Sequence, residues 1–408
     1  MPSKRGLAGA CWRVAGQGAI AASLALLLAA SPATLAADKK AGSTATYSYF
    51  ATGNPDAAVT APAALSAPSF VLMGGGPDVD AAFRWMIVRA GITPKTGGRF
   101  VVIRATGTEA YNPYIYYSND ASSTSLSPPA ELWVGGAALG LSAVETLVIP
   151  SVEAANDATV NAIVGRANAV FIAGGDQADY LRYWKGTKLD ATLRGLMAKN
   201  IPLGGTSAGL AVLGQFDYAA LNGSVTSKQA LSNPYNKYMT LDPAPLAPSG
   251  GFIAPPALAN LITDSHLDSR DRMGRLFAFV ARLVRPDGST GCGGGILPAG
   301  GGAGTARGIG IDVETALLVQ GERGGVTARR VTNPSNQTGT AADTESAVYF
   351  VRPLNPPTAC ADGKPLTMTT VEVQKLADSD TVFNLGEWSG LKPRTFDAVS
   401  GELTASPY

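Results

Sequence analysis

One serine lies in a pattern that could make it a nucleophile. Residues 205–209 read Gly-Thr-Ser-Ala-Gly, which matches the G-x-S-x-G pattern of a sharp strand-to-helix turn. Glycine is needed at both flanks because the backbone there passes too close to its neighbours for a Cβ atom. Such a turn would expose the Ser207 hydroxyl and aim the N–H of Ala208 at an oxyanion. The alternative is an ordinary serine in a tight turn, since 48 glycines in 408 residues make chance matches common.

The serine would need a base, and the sequence contains a single histidine, His266. This histidine follows the apolar run 261–263 and precedes a helical pattern over 268–283. Because strand-to-helix junctions of a parallel sheet meet at one edge, we expect His266 at the same edge as Ser207. The alternative is a lone histidine that caps a helix or fills a polar pocket.

The elements around these residues alternate between strand and helix. Strand-like runs occur at 69–73, 99–104, 145–150, 168–173 and 201–205, and helical patterns at 80–88, 156–167 and 179–199. This order predicts an α/β fold with a doubly wound, mostly parallel sheet and helices on both faces. Four later runs predict antiparallel strands added at one side: 309–312, 316–319, 326–331 and 347–352. Three glycines at 74–76 follow the first strand, but the lysine and spacing of a nucleotide-binding loop are absent.

The N-terminus predicts a signal peptide. Lys4, Arg5 and Arg13 precede the apolar run 19–30, which is too short to span a bilayer, and small residues near Ala36 offer a cleavage site. We therefore expect a protein that is soluble outside the cytoplasm, periplasmic or extracellular, with no membrane contact after cleavage. The predicted organisation is a signal peptide (1–36), a linker or N-terminal arm (37–68), a main domain (69–320) and a β-rich C-terminal extension packed on that domain (321–408).

Charge and cysteine content bear on other classes of site. The 32 Lys and Arg residues balance 31 Asp and Glu residues without a long basic run, so we expect no nucleic-acid surface. Cys11 would leave with the signal peptide, and the remaining pair, Cys292 and Cys360, predicts a disulfide in an oxidising compartment, with two buried thiols as the alternative. Two cysteines and one histidine without ligand spacing predict no metal site. A serine nucleophile with a histidine base would also need no cofactor.

Three motifs, taken together, resemble one family. They are Gly174-Gly175-Asp176-Gln177, the serine turn at 204–209, and Asp264-x-His266-x-x-x-Arg270-x-Arg272-x-x-Arg275. In this order they resemble the cyanophycinase-type serine peptidases, relatives of aspartyl dipeptidase with a fold similar to class I glutamine amidotransferases. The resemblance covers roughly residues 69–320 and is weak over the proline-rich stretch and the C-terminal tail.

The resemblance implies a role for each matching residue. Ser207 would be the nucleophile, and His266 would take its proton and then protonate the leaving amine. The N–H groups of Gly175 and Ala208 would form the oxyanion hole. The residues implied to contact substrate are Gln177, Asp264, Arg270, Arg272 and Arg275. Cyanophycin, an aspartate backbone with arginines on its side-chain carboxyls, would need both carboxylates and guanidinium groups to recognise it. A homodimer is compatible with the family.

Two positions leave this assignment open. Ser265 stands where the family commonly has glutamine, so a substrate contact is lost or replaced. The acid that orients His266 is not evident from the sequence. Asp217 is the nearest candidate after Ser207, and no other Asp or Glu occurs before Asp242.

Three functions follow as hypotheses. The first is a secreted serine peptidase that hydrolyses cyanophycin to β-aspartyl-arginine dipeptides. The second is a secreted peptidase of the same fold acting on other isoaspartyl or acidic peptides, and the third is a catalytically silent binding protein. The arginines also have a purely structural interpretation, because Asp268 and Arg272, like Asp271 and Arg275, are four residues apart and would stabilise a helix.

Overall fold

A nine-stranded sheet carries the serine. It is seen in a computed structural model that describes residues 46–117, 134–243, 251–285, 295–322, 324–332 and 345–408. Numbered in chain order, its strands lie side by side as β1 (Ser48–Gly53), β4 (Ala143–Val148), β3 (Arg99–Arg104), β5 (Ala169–Ile172), β6 (Leu203–Thr206), β2 (Ser69–Met73), β11 (Thr315–Glu322), β12 (Gly325–Thr332) and β15 (Phe383–Asn384). The central run from β4 to β2 is parallel, and the strands outside it pair antiparallel.

Helices cover both faces of this sheet, as the sequence predicts. The helices of the described residues are α1 (Asp80–Arg89), α2 (Tyr111–Tyr116), α3 (Gly136–Leu139), α4 (Val152–Asn156), α5 (Ala158–Gly165), α6 (Gln177–Trp184), α7 (Lys188–Ala198), α8 (Ala208–Ala211), α9 (Ser227–Ser232) and α10 (Met273–Leu283). Along β2, Phe70 and Leu72 pack with Trp184 on one face, whereas Val71 and Met73 join a second core on the other face. Because both faces are buried, the central strands are continuously apolar.

A second, six-stranded sheet carries the histidine. Its strands, in spatial order, are β17 (Glu402–Leu403), β16 (Arg394–Val399), β14 (Met368–Leu376), β13 (Val348–Pro353), β10 (Arg307–Ile311) and β9 (Leu261–Asp264). Only the β9–β10 pair is parallel. Helix α10 packs on this sheet and is buried at nearly every position. A short hairpin of β7 (Asp217–Tyr218) and β8 (Leu241–Asp242) and a 3-10 turn at Pro256–Leu258 complete the described elements.

Three features differ from the sequence predictions. Strand β1 lies within the predicted linker or arm and pairs along its whole length with β4, so this part of the arm belongs to the central sheet. The predicted helix over 179–199 is two helices, because Gly186 adopts a left-handed φ of 74° between α6 and α7. Helix α10 begins at Met273 rather than near residue 268, so the four-residue Asp–Arg spacings do not lie within one helix.

The predicted domain boundary at residue 320 falls inside β11. Of the later strands, β12 and β15 extend the nine-stranded sheet, whereas β13, β14, β16 and β17 belong to the six-stranded sheet. The predicted signal peptide lies outside the described residues. Among the residues that the structure describes, no helix is both long and apolar enough to cross a membrane.

Candidate active site

The serine turn has the steric form that its pattern predicts. Ser207 adopts φ 53° and ψ −111°, a conformation that costs free energy for a residue with a side chain. A Cβ on Gly205 would lie 2.4 Å from the carbonyl oxygen of Gly209, and one on Gly209 would lie 2.0 Å from that of Ile172. Only glycine fits either position, so the two glycines allow β6 to turn sharply into α8.

The histidine reaches the serine hydroxyl. The Oγ atom of Ser207 and the Nε2 atom of His266 are 3.0 Å apart, which is hydrogen-bonding distance. The two residues do not share a sheet, contrary to our expectation, because β6 belongs to the nine-stranded sheet and β9 to the six-stranded one. The loop after β9 brings them together: His266 adopts a left-handed φ of 49° and donates its N–H to the carbonyl of Gly74 at 2.7 Å.

The glycine run after β2 packs directly against the imidazole of His266. A Cβ on Gly75 would lie 2.4 Å from Nε2 of His266 and 2.7 Å from its Cε1. The backbone of this loop is fixed from the other side, since Gly75 accepts a hydrogen bond from the N–H of Glu314 at 2.8 Å. From the sequence, these glycines suggest only a comparison with a phosphate-binding loop. Their position directly after a strand was the available signal that they line the site.

The imidazole is held in its neutral, basic form. Burial lowers the pKa of His266 to about 4, and the positive charges of Arg270 and Arg272 act in the same direction, while the Asp264 carboxylate opposes them. At neutral pH the unprotonated Nε2 can therefore accept the proton of the Ser207 hydroxyl.

Asp217, the predicted orienting acid, makes no hydrogen bond with this pair among the described residues. Its side chain is fully buried, and burial together with the nearby Asp242 carboxylate raises the pKa of Asp217 well above its usual value, with Lys185 opposing. No hydrogen bond or ion pair among the described residues joins Asp217 to His266. The structure thus gives no contact for the predicted role, which stays a prediction.

The carboxylate of Asp264 is held by arginine rather than open to substrate. Arg275 binds both of its oxygens, from Nε at 2.7 Å and from Nη2 at 2.5 Å. This ion pair is buried, and the guanidinium also stacks over the ring of Tyr218 at 4.9 Å. Arg275 donates further to Ser224 and to the carbonyl of Val225, so its donors are used within the protein. Asp264 and Arg275, which were both predicted to contact substrate, therefore bind each other.

The other two arginines differ in exposure. Arg272 is buried and donates to the carbonyl of Ser265 at 2.8 Å, and burial lowers its pKa to about 10, so it stays charged at neutral pH. Arg270 is exposed, and its side chain makes no hydrogen bond or ion pair within the described part of the chain, although its backbone N–H donates to the carbonyl of His266 at 3.2 Å. Of the predicted cationic contacts, Arg270 is the one available to an incoming anion.

These residues line one cleft of about 290 Å³. The predicted site residues at its wall are Gly175, Gln177, Ser207, Ala208, Asp264, Arg270, Arg272 and Arg275. Gln177 donates to the carbonyl of Tyr218 at 3.3 Å, while Asp176 is exposed and caps α6 by accepting the N–H of Ala178 at 2.9 Å. Asp176 was not singled out from the sequence, although it lies inside a quoted motif, and it adds a negative charge to the cleft.

The structure describes only one of the two cysteines of the predicted disulfide. Cys360 is buried in the core beneath the six-stranded sheet, whereas Cys292 lies outside the described residues. The pairing stays a prediction.

Known proteins resemble this chain in sequence over one segment and in structure at low identity. The solved structures that align with the chain include a peptidase from an acI-B1 Actinobacterium (14% identity, 83% of this chain and 96% of that one, TM-score 0.38) and a candidate peptidase E from Listeria monocytogenes EGD-e (15% identity, 65% and 100%, TM-score 0.33). The chain matches none of the curated proteins with which it was compared. Residues 137–230, which include Ser207, match the model of peptidase family S51, and this match indicates a peptidase hydrolase.

Proposed function

We propose that this chain is a secreted serine peptidase that hydrolyses cyanophycin and releases β-aspartyl-arginine dipeptides. The observation that carries the catalytic part is the 3.0 Å contact between Ser207 Oγ and His266 Nε2, at the wall of a cleft. Secretion rests on the predicted signal peptide over residues 1–36.

The geometry supports acyl transfer in two halves. As Ser207 Oγ attacks the scissile carbonyl carbon, its proton passes to Nε2 of His266, and the carbonyl oxygen becomes an oxyanion. The backbone N–H groups of Gly175 and Ala208 are the proposed donors to this oxyanion. Protonated His266 then gives the proton to the leaving amine, which departs and leaves an acyl-enzyme. Water attacks the acyl carbon, His266 takes its proton, and Ser207 Oγ leaves with that proton.

The charges at the cleft wall support a substrate that carries both signs. Arg270 and Asp176 are both exposed, and neither is taken up in an ion pair among the described residues. A carboxylate of the substrate would bind Arg270, and a guanidinium or ammonium group would bind Asp176. Cyanophycin offers all of these groups.

One observation favours the second candidate, a peptidase for other isoaspartyl or acidic peptides. The carboxylate of Asp264 is bound by Arg275, and Ser265 is buried against Arg272. The cleft therefore has fewer groups for a substrate guanidinium than the resemblance implies.

The decisive experiment uses mature protein and two substrates, insoluble cyanophycin and a set of isoaspartyl dipeptides. Ser207→Ala and His266→Ala should each abolish hydrolysis, with losses of at least about 10⁴-fold. Ser224→Ala is the matched control, because Ser224 lines the same cleft and should leave most activity in place.

The outcomes separate the hypotheses. Clearing of cyanophycin with release of dipeptide supports the first, and dipeptide hydrolysis without clearing supports the second. A protein that hydrolyses neither, and whose Ser207 resists a fluorophosphonate, would be a binding protein, and both proposals would be wrong.

A further inference from the structure

The helix that follows the catalytic histidine starts without a cap of its own. Arg272 occupies the N-cap position of α10, and its side chain makes no cap hydrogen bond. The first N–H groups of a helix have no partner within it and need one from elsewhere. At α10 that partner for Met273 is distant in sequence: the N–H of Met273 donates to the phenolic oxygen of Tyr408 at 3.1 Å.

The same phenol binds the turn directly after the histidine. The Tyr408 hydroxyl donates to the carbonyl of Leu267 at 2.9 Å, and Asp271 Oδ1 lies 3.3 Å away as a second acceptor. The ring packs edge-on against Tyr349, with centroids 5.7 Å apart. Burial raises the pKa of Tyr408 far above its usual value, so the hydroxyl keeps its proton and remains a donor.

The segment between these two contacts is conformationally strained. His266 has a φ of 49° and Asp271 a φ of 44°, and both lie in the left-handed region that residues with side chains disfavour. Strain of this kind persists only where surrounding contacts hold it. The Gly74 carbonyl holds one end through the N–H of His266, and Tyr408 holds the other end.

We propose that Tyr408 is a positioning residue for catalysis. Its hydroxyl fixes the loop over residues 266–272, and this loop presents the imidazole of His266 to Ser207 and the guanidinium of Arg270 to the cleft. The proposal rests on the proposed serine peptidase function. The competing explanation is that Tyr408 only fastens the C-terminal strand segment to the fold.

The test compares Tyr408→Phe, which keeps the ring and removes the hydroxyl, with Tyr408→Ala, which removes both. Tyr49→Phe is the control, because it also deletes a hydrogen-bonded phenolic hydroxyl, which donates to Glu145 at 2.7 Å, but lies on the distant edge strand β1. We expect Tyr408→Phe to lower kcat and the rate of Ser207 labelling by a fluorophosphonate by about tenfold, with a smaller change in KM. Hydrogen exchange of the peptide over 266–276 should become faster in this variant and not in the control.

Two results would overturn the proposal. One is a Tyr408→Phe protein whose kcat, labelling rate and loop exchange equal those of Tyr49→Phe. The other needs no variant: rapid exchange of the Met273 amide in the wild-type protein would mean that the phenol does not hold it in solution. Should the wild-type protein neither hydrolyse peptides nor react at Ser207, the proposed function fails, while the exchange comparison still decides whether Tyr408 holds the loop.

Discussion

Substituting alanine for Gly75 should displace His266, the proposed catalytic base. The new Cβ would lie 2.4 Å from Nε2 of His266, whereas ordinary contacts begin at 3.4 Å. Because the loop backbone is tied to Glu314 on its other side, the imidazole must move by about 1 Å, and a displacement of that size costs roughly 10²-fold in rate. We therefore expect kcat to fall by about two orders of magnitude.

Gly76→Ala separates this collision from backbone strain. Gly75 and Gly76 have left-handed φ values of 93° and 81°, so alanine at either position costs about 1–2 kcal/mol in backbone free energy. A Cβ on Gly76 would lie 3.2 Å from Cβ of Val313 and has no imidazole atom among its nearest neighbours. The two variants thus share the strain, and only one collides with His266.

The assay measures fluorophosphonate labelling of Ser207 and hydrolysis of the best substrate, with the unfolding temperature as a control. The expected result is a similar loss of stability in both variants and a much larger loss of labelling rate in Gly75→Ala. Equal labelling rates in the two variants would refute the close approach of Gly75 to the imidazole of His266.

Three further predictions concern charge. In the pH profile of kcat/KM, the midpoint of the rise on the acidic side should lie near pH 4, because activity rises as the imidazole of His266 loses its proton. A midpoint near pH 6.5 would contradict the burial of that residue. Arg270→Gln should raise KM with little change in unfolding temperature. Arg275→Gln should lower the free energy of unfolding by about 3 kcal/mol, because the buried carboxylate of Asp264 loses its bidentate partner and keeps, as an ion pair, only the longer 3.8 Å contact with Arg272. Chemical denaturation and steady-state kinetics test this pair, and the reverse assignment of the two effects would contradict it. Asp217→Asn should keep most activity, since among the described residues the Asp217 carboxylate makes no hydrogen bond with His266, and a loss of about 10⁴-fold would instead establish it as the orienting acid.

The sequence predicted what local sterics and composition determine. The serine turn was identifiable because close backbone approach restricts positions 205 and 209 to glycine, and the base because only one imidazole exists. The parallel core followed from continuous apolar strands separated by helices.

Long-range contacts could not be predicted from the sequence. Nothing in its own residues shows that Arg275 binds Asp264 instead of substrate, because a buried ion pair and a pocket contact use the same side chains. Strand β1 was missed because its residues resemble those of a linker, and the alternation of strands gave no sign that β9 leaves the first sheet.

Because the proposed catalytic pair, Ser207 and His266, is divided between two sheets, the reaction rate should depend on how these sheets pack against each other. Ser207 is positioned by the nine-stranded sheet and His266 by the six-stranded sheet. If one sheet shifted relative to the other by even an ångström, the contact between Ser207 and His266 would break. Substitutions at the buried interface between the two sheets can therefore inactivate the enzyme while each sheet remains folded. Heat should likewise inactivate it at a lower temperature than the one that melts its secondary structure.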